Sequence, residues 1–103
     1  MRYEWDERKN RANQRKHGIG FEAASLAFDD ERCLIRFDRV DERGEQRWHA
    51  IGAVPVEEGT AMVILVAHVL REEEGDGEEI IRIISARRAG KNDVRRYQKQ
   101  EVD

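Results

Sequence analysis

Arg82-Ile83-Ile84-Ser85-Ala86-Arg87-Arg88-Ala89 joins the most strand-like apolar run in the second half of the chain to its densest basic cluster. With Ile80 and Ile81 ahead of them, these β-branched side chains are stiff and suit a pleated surface, so the run reads as a largely buried strand. Alternation sends Ile81, Ile83 and Ser85 to one face and Ile80, Arg82, Ile84 and Ala86 to the other. The face carrying Arg82 therefore cannot be uniformly dry. Arg87 and Arg88 leave the strand end, and Lys91, Arg95, Arg96 and Lys99 follow on an expected helix. Positive charge is thus concentrated where the sheet stops; a solvated helix face with ordinary surface arginines is the alternative reading.

Working outward, 103 residues are enough for one modest core, and a single domain over residues 1–103 is expected. Charged residues make up 40% against 39% hydrophobic, so that core is small and the surface strongly ionic. No apolar run approaches the roughly 20 residues of a membrane helix, and Arg2, Glu4, Asp6 and Glu7 interrupt any secretory signal, so a cytoplasmic location is expected. Cys33 is the single cysteine, which excludes an intrachain disulfide and a thiolate metal cluster. The net charge of −3 is unevenly placed: residues 1–17 carry +3, residues 18–81 carry −10 and residues 82–103 carry +4. If the fold brings the ends together, one face could attract phosphates although the whole chain is an anion.

Toward the N-terminus, Arg2 to Trp5 alternates polar and aromatic residues and suits a short strand with Tyr3 and Trp5 inward. Asp6 is placed to cap a helix from Glu7 to about His17, and Gly18 supplies the left-handed residue that stops it. Ala12 is the only apolar residue of that helix, so Lys9, Asn10, Asn13, Lys16 and His17 either cover a wet cleft or face solvent. Phe21 to Phe28 reads as a second helix whose Phe21, Ala24 and Phe28, widened by Ala23, Leu26 and Ala27, pack on a sheet. Residues 33 to 86 read as an antiparallel meander. Its strands are Cys33–Val40, Gln46–Val54, Ala61–Leu70 and one from Glu79, with turns at Asp41–Gly44, Pro55–Thr60 and Arg71–Gly77. Ala61–Leu70 is the most apolar and hence central, and the strand from Glu79 is expected to close the sheet. A final helix from Lys91 to about Gln100 has Val94 and Tyr97 to dock it.

The pattern of residues excludes several chemistries. His17, His49 and His68 are scattered without a metal-binding spacing, no phosphate-cradling glycine loop follows a strand, and no Gly-x-Ser-x-Gly elbow exists. Neither a metal nor a cofactor is expected. What remains is a cation-rich site. Cleaving RNA without metal needs a base for the 2′-OH, an acid for the 5′-oxygen and fixed positive charge for the phosphorane. Arginine suits the last role because its planar fork holds two phosphate oxygens and stays charged. His17 or Glu45 could move the proton, and Trp48 or Tyr97 could stack an unpaired base, although both aromatics also suit a core.

Tyr3-Glu4-Trp5-Asp6-Glu7, Lys9-Asn10, Asn13, Lys16-His17-Gly18, Phe21-Glu22, Phe28-Asp29-Asp30, Arg47-Trp48, Ile51-Gly52 and Arg82 to Ala89 together closely resemble the BrnT toxin family. The Trp-Asp and Lys-His-Gly opening with the Ile-Ile-Ser-Ala-Arg finish is the specific pairing, and the matching segments span nearly the whole chain. The resemblance implies an α+β, RelE-like fold, an antiparallel sheet meander packed against two N-terminal helices with a C-terminal helix. It implies a ribonuclease that arrests translation as the toxin of a type II toxin–antitoxin pair. The implied partners are an RNA substrate and a BrnA-type antitoxin, whose ribbon-helix-helix-like part binds the shared promoter; the toxin would meet DNA only through it. Arg82, Arg87 and Arg88 match the basic motif of the last strand and are expected to bind phosphate and transition-state charge. Lys16 and His17 match the Lys-His-Gly motif, with proton transfer or phosphate contact as the implied roles. Arg47, Trp48, Arg95, Arg96 and Tyr97 are secondary RNA contacts. A non-catalytic module that only assembles a repressor complex is the alternative function.

Overall fold

The computed structural model describes residues 1–75 and 77–100. Asp76, at the expected hairpin tip, lies outside them. In chain order the elements are β1 (Arg2–Glu4), α1 (Glu7–His17), α2 (Phe21–Ser25), a 3₁₀ turn (Leu26–Asp29), β2 (Leu34–Val40), β3 (Gln46–Glu57), β4 (Thr60–Glu72), β5 (Glu79–Arg88) and α3 (Lys91–Lys99). Together they form an α+β fold on one five-stranded sheet of order β1-β5-β4-β3-β2. The most apolar strand, β4, is indeed the central one. No helix among the described residues is long and apolar enough to cross a membrane.

The sheet is mixed, not a pure meander. β2 to β5 are antiparallel neighbours, but β1 pairs parallel to β5 through Arg2↔Ile80, Tyr3↔Ile81 and Glu4↔Arg82. β5 is therefore interior along its first half and does not close the sheet. Pro55 does not end β3 either: the strand runs on to Glu57, with Pro55 opposite Ala61. β2 starts opposite Ile51, so β3 has no neighbour on that side at Pro55, where a missing N–H costs no ladder bond.

α2 and the 3₁₀ turn, with α1 ahead of them, take one face of this sheet. Asp6 accepts from the backbone N–H of Arg8 and Lys9, and Gly18, at φ 72°, ends α1. Both caps fall where the side-chain chemistry places them. The second helix is shorter than its periodicity suggests: α2 stops at Ser25 and tightens into the 3₁₀ turn, burying Phe21, Ala24 and Ala27 but leaving Ala23 and Leu26 exposed. These residues, with Ile19, cover Ala50, Val54, Ile64, Val66, Ile81, Ile83 and Ala86, and Tyr3 and Trp5 pack against the same cluster. Gly52 permits the close approach, since a Cβ there would stand 2.5 Å from the Ala27 carbonyl oxygen. On the opposite face α3 brings Val94 and Tyr97 onto Leu34, Ile51, Val63, Leu65 and Ala89.

One irregularity decides where the basic residues point. Along β4 and β5 the partners run Ala67↔Ser85 and then His68↔Ile83, so Ile84 is an extra residue on β5. A bulge of this kind breaks strict alternation. Ala86 consequently joins Ile81 and Ile83 on the α2 side, instead of sharing a face with Arg82 as simple alternation requires. Arg87 pairs with Leu65 on the α3 side, and Arg88 pairs with Ile64 on the α2 side.

Candidate active site

The N-terminal helix and the exit of β5 adjoin, and a carboxamide joins them. Asn13 Nδ2 donates to the carbonyls of Ala86 and Ile19, each at 2.8 Å, while the Ala86 N–H donates to Asn13 Oδ1 at 3.1 Å. Nearby, Asn10 Oδ1 accepts from the Phe21 N–H at 2.8 Å. These asparagines neither line a wet cleft nor face solvent. They replace the apolar contacts that α1 lacks, and Asn13 satisfies the β5 edge beyond the end of β1. Lys16 and His17 follow Asn13 at three and four positions along α1, a rise of roughly 5–6 Å, and Arg87 and Arg88 follow Ala86 directly. Among the described residues, Lys16 and His17 are exposed, with no side-chain hydrogen bond or ion pair.

The five residues expected to act on RNA are not all on one face. Arg82 and Arg87 project from the α3 side of the sheet, Arg88 projects from the α2 side, and Lys16 and His17 lie on α1, the helix bound to the edge of β5. Arg82 Nη1 stands 3.4 Å from Glu4 Oε1, and that same carboxylate is held by Arg71 through two 2.8 Å bonds. The Arg71 bonds hold the Glu4 carboxyl below its ordinary range.

Of the secondary contacts, Arg47 shares the α3-side face with Arg82 and Arg87. It lies one residue beyond the Trp48↔His68 pair, level with Val69, whose partner on β5 is Arg82. Its Nε is tied to Asp41 at 3.0 Å. Trp48 is on the other face, edge-on to Phe37 with ring centroids 5.3 Å apart. Arg95 and Arg96 are exposed on α3. Tyr97 is engaged in anchoring that helix, its ring on the α3-side core and its hydroxyl donating to Asp30.

Three further polar residues sit on the arginine-bearing face that sequence patterning did not single out. Arg36 is the cross-strand partner of His49, and His49 Nε2 lies 3.5 Å from Asp38. Arg36 also lies 3.8 Å from Asp93 at the start of α3. Asp38 stays on the face of Arg36, as simple alternation places it, and the bulge that follows displaces Arg39 instead, so the grouping emerges only from the cross-strand register. α3 covers Leu34, Ile51 and Leu65; its apolar contacts stop short of the adjoining ranks, His49–Ala67–Ser85 and Val69–Arg82, where Val69 is nonetheless buried. The remaining histidine is structural: His68 is buried, edge-on to Phe28 at 4.9 Å, and burial lowers its pKa.

An α+β sheet with guanidinium groups spaced along one face has the makings of a phosphodiester-binding protein. A family model described as "Ribonuclease toxin, BrnT, of type II toxin-antitoxin system" matches residues 5–93. The chain belongs to this BrnT family of ribonuclease toxins. No curated protein matches it significantly.

Proposed function

We propose that this BrnT-family toxin is a metal-independent endoribonuclease of RelE-like architecture that inhibits translation by cleaving RNA and is neutralised by a BrnA-type antitoxin. Promoter DNA would be met only through that antitoxin. The observation that carries the reading is the shared α3-side face of Arg82, Arg87 and Arg47.

In the reaction a base removes the 2′-OH proton, the oxygen attacks phosphorus, and the 5′-oxygen leaves with a proton from an acid. Arg82 and Arg87 offer forked donors to the phosphate oxygens, and Arg88 offers one from the other side of the strand end. Glu4 restrains Arg82 until a phosphate competes for its guanidinium. Lys16 and His17 approach from α1 as phosphate contact and proton carrier. His49, paired with Asp38 on the face of Arg82, is a second candidate for the proton-transfer role, and its geometry favours it over a histidine without a partner. Arg95, Arg96 and Arg47 extend the charged path for the strand, whereas Trp48, on the other face, and Tyr97, held in the α3-side core, have structural roles.

The test is cleavage of a defined RNA by purified protein in excess EDTA. Cleavage that persists in chelator and yields a 2′,3′-cyclic phosphate supports the mechanism. Cleavage abolished by chelator and restored by a divalent ion would overturn it. Promoter binding by the antitoxin complex with no RNA cleavage, free or on ribosomes, would favour a purely assembling role.

A further inference from the structure

The α2-side face of the sheet is only partly covered. Beyond the 3₁₀ turn, Ile35, Phe37 and Leu70 remain 45%, 50% and 46% exposed, and Met1 is 71% exposed. Ile35, Leu70 and Met1 border one cleft of about 330 Å³, floored by Phe28, Cys33, His68 and Ile81. Phe37 continues it through its contact with Trp48, which borders Leu70 in an adjoining hollow. A run of half-exposed apolar side chains over a formed cleft marks an interaction surface.

The rim indicates what fits. Glu72 and Glu79 are direct cross-strand partners, two residues beyond the Leu70↔Ile81 pair and on the same face. Like charges placed opposite each other are destabilising, and among the described residues neither carboxylate has an ion pair. Glu79 borders the cleft itself, and Glu45 borders the hollow at Trp48. A second copy would bring three more carboxylates to the same rim. A partner with lysine or arginine flanking its apolar residues would relieve the Glu72/Glu79 repulsion while covering Ile35, Phe37 and Leu70.

We propose that this cleft seats the antitoxin, through a segment that is apolar along its centre and basic at its margins. The inference rests on the toxin reading and adds the docking surface and the chemistry of what docks. The seat lies on the opposite side of the sheet from Arg82 and Arg87, so the antitoxin segment held there does not itself cover those arginines.

The experiment measures binding of the purified small protein encoded by the adjacent reading frame, tested first for relief of growth arrest on co-expression, to the wild-type chain and to two variants by calorimetry. RNA cleavage by each free protein and its sedimentation are followed in parallel. Ile35→Ser/Phe37→Ser/Leu70→Ser should weaken binding at least 100-fold. Glu72→Lys/Glu79→Lys should weaken it about 10-fold, chiefly through a slower association rate. Both should retain wild-type cleavage, which also verifies that they fold. Wild-type affinity in both variants would overturn the seat while leaving the toxin reading intact. Tighter binding by Glu72→Lys/Glu79→Lys would overturn the basic partner. A wild-type dimer that the apolar variant dissociates would assign the cleft to a second copy. A wild-type chain that neither cleaves RNA nor binds the antitoxin would overturn both readings.

Discussion

Asn13 holds Ala86 by both polar groups of its peptide, its Nδ2 on the carbonyl and its Oδ1 on the N–H, across 73 positions of sequence. The carboxamide acts as a one-residue strand on the β5 edge, fixing the polar helix α1 beside the exit that carries Arg87 and Arg88. Each buried backbone group left unsatisfied costs roughly 1–3 kcal/mol. Asn13→Ala should therefore destabilise the chain by about 2–3 kcal/mol and lower its midpoint by about 10 °C or more in thermal denaturation. Asn13→Asp should be at least as harmful, because it sets a carboxylate against the Ala86 and Ile19 carbonyls. A midpoint unchanged by either substitution would remove the clamp from the account.

Arg87 and Arg88 are exposed, and the one side-chain bond between them, from Arg87 Nη1 to the Arg88 carbonyl, spans 3.3 Å. Arg87→Ala and Arg88→Ala should each leave folding stability within about 0.5 kcal/mol. RNA cleavage should fall about 100- to 1,000-fold if the guanidinium meets charge that develops in the transition state. Growth arrest on expression without antitoxin should disappear in parallel. Full toxicity in both variants would place the phosphate site elsewhere.

His68 gives the fold an acid-sensitive point. Burial lowers its pKa below the ordinary value of 6.5, so the unfolded chain takes up the proton more readily than the folded one. Its contribution is complete above that ordinary value and is lost as the pH falls through the folded pKa. Urea midpoints measured from pH 8 to pH 5 should decline below about pH 6.5, and His68→Phe should flatten the decline. An identical slope in the variant would exclude His68 as its source.

Tyr97 does the converse at the alkaline end. Burial and the Asp30 carboxylate push its hydroxyl up to about 12, against 10.0 for an unperturbed tyrosine. The folded chain keeps this proton longer, so the contribution is whole below pH 10.0 and fades as the pH rises through about 12. Denaturation midpoints should fall across that interval, and Tyr97→Phe should remove part of the fall. The same variant should loosen α3, seen as faster amide exchange at Val94, whose N–H bonds to Gly90.

Gly52 sits where a Cβ would collide with the Ala27 backbone. Gly52→Ala should cost about 1–3 kcal/mol by forcing the 3₁₀ turn away from β3. Chemical denaturation of variant and wild type tests this directly. A neutral result would mean that the turn can lift without loss of packing.

Much of this architecture is legible residue by residue. Asp6 and Gly18 bracket α1, the apolar content of Ala61–Leu70 marks the central strand, and Asp41–Gly44 marks a turn, because each depends on local chemistry or periodicity. The parallel pairing of β1 was hidden, since three residues carry too little pattern to name a partner 78 positions away. The role of Asn13 was hidden for a related reason: a carboxamide bonded to backbone and one facing solvent look alike in sequence. The candidate site was legible in the identity of Arg82, Arg87 and Arg88 but not in their directions, which the extra residue at Ile84 changes. His49 and Arg36 went unmarked because their grouping exists only across strands.

That extra residue makes the side on which each arginine emerges a matter of counting. Deleting Ile84 would remove the bulge and leave Ser85 to Arg88 on their present faces, whereas drawing Ile84 into the regular ladder would rotate everything downstream by half a turn and exchange Arg87 with Arg88 between the two surfaces of the sheet. With Ile84 so drawn in, Ala86 would leave the α2 side, and the backbone groups that Asn13 grips would be displaced. A frame of one amino acid thus ties the polarity of the arginine-bearing surface to the docking of the first helix, and neither can drift without the other.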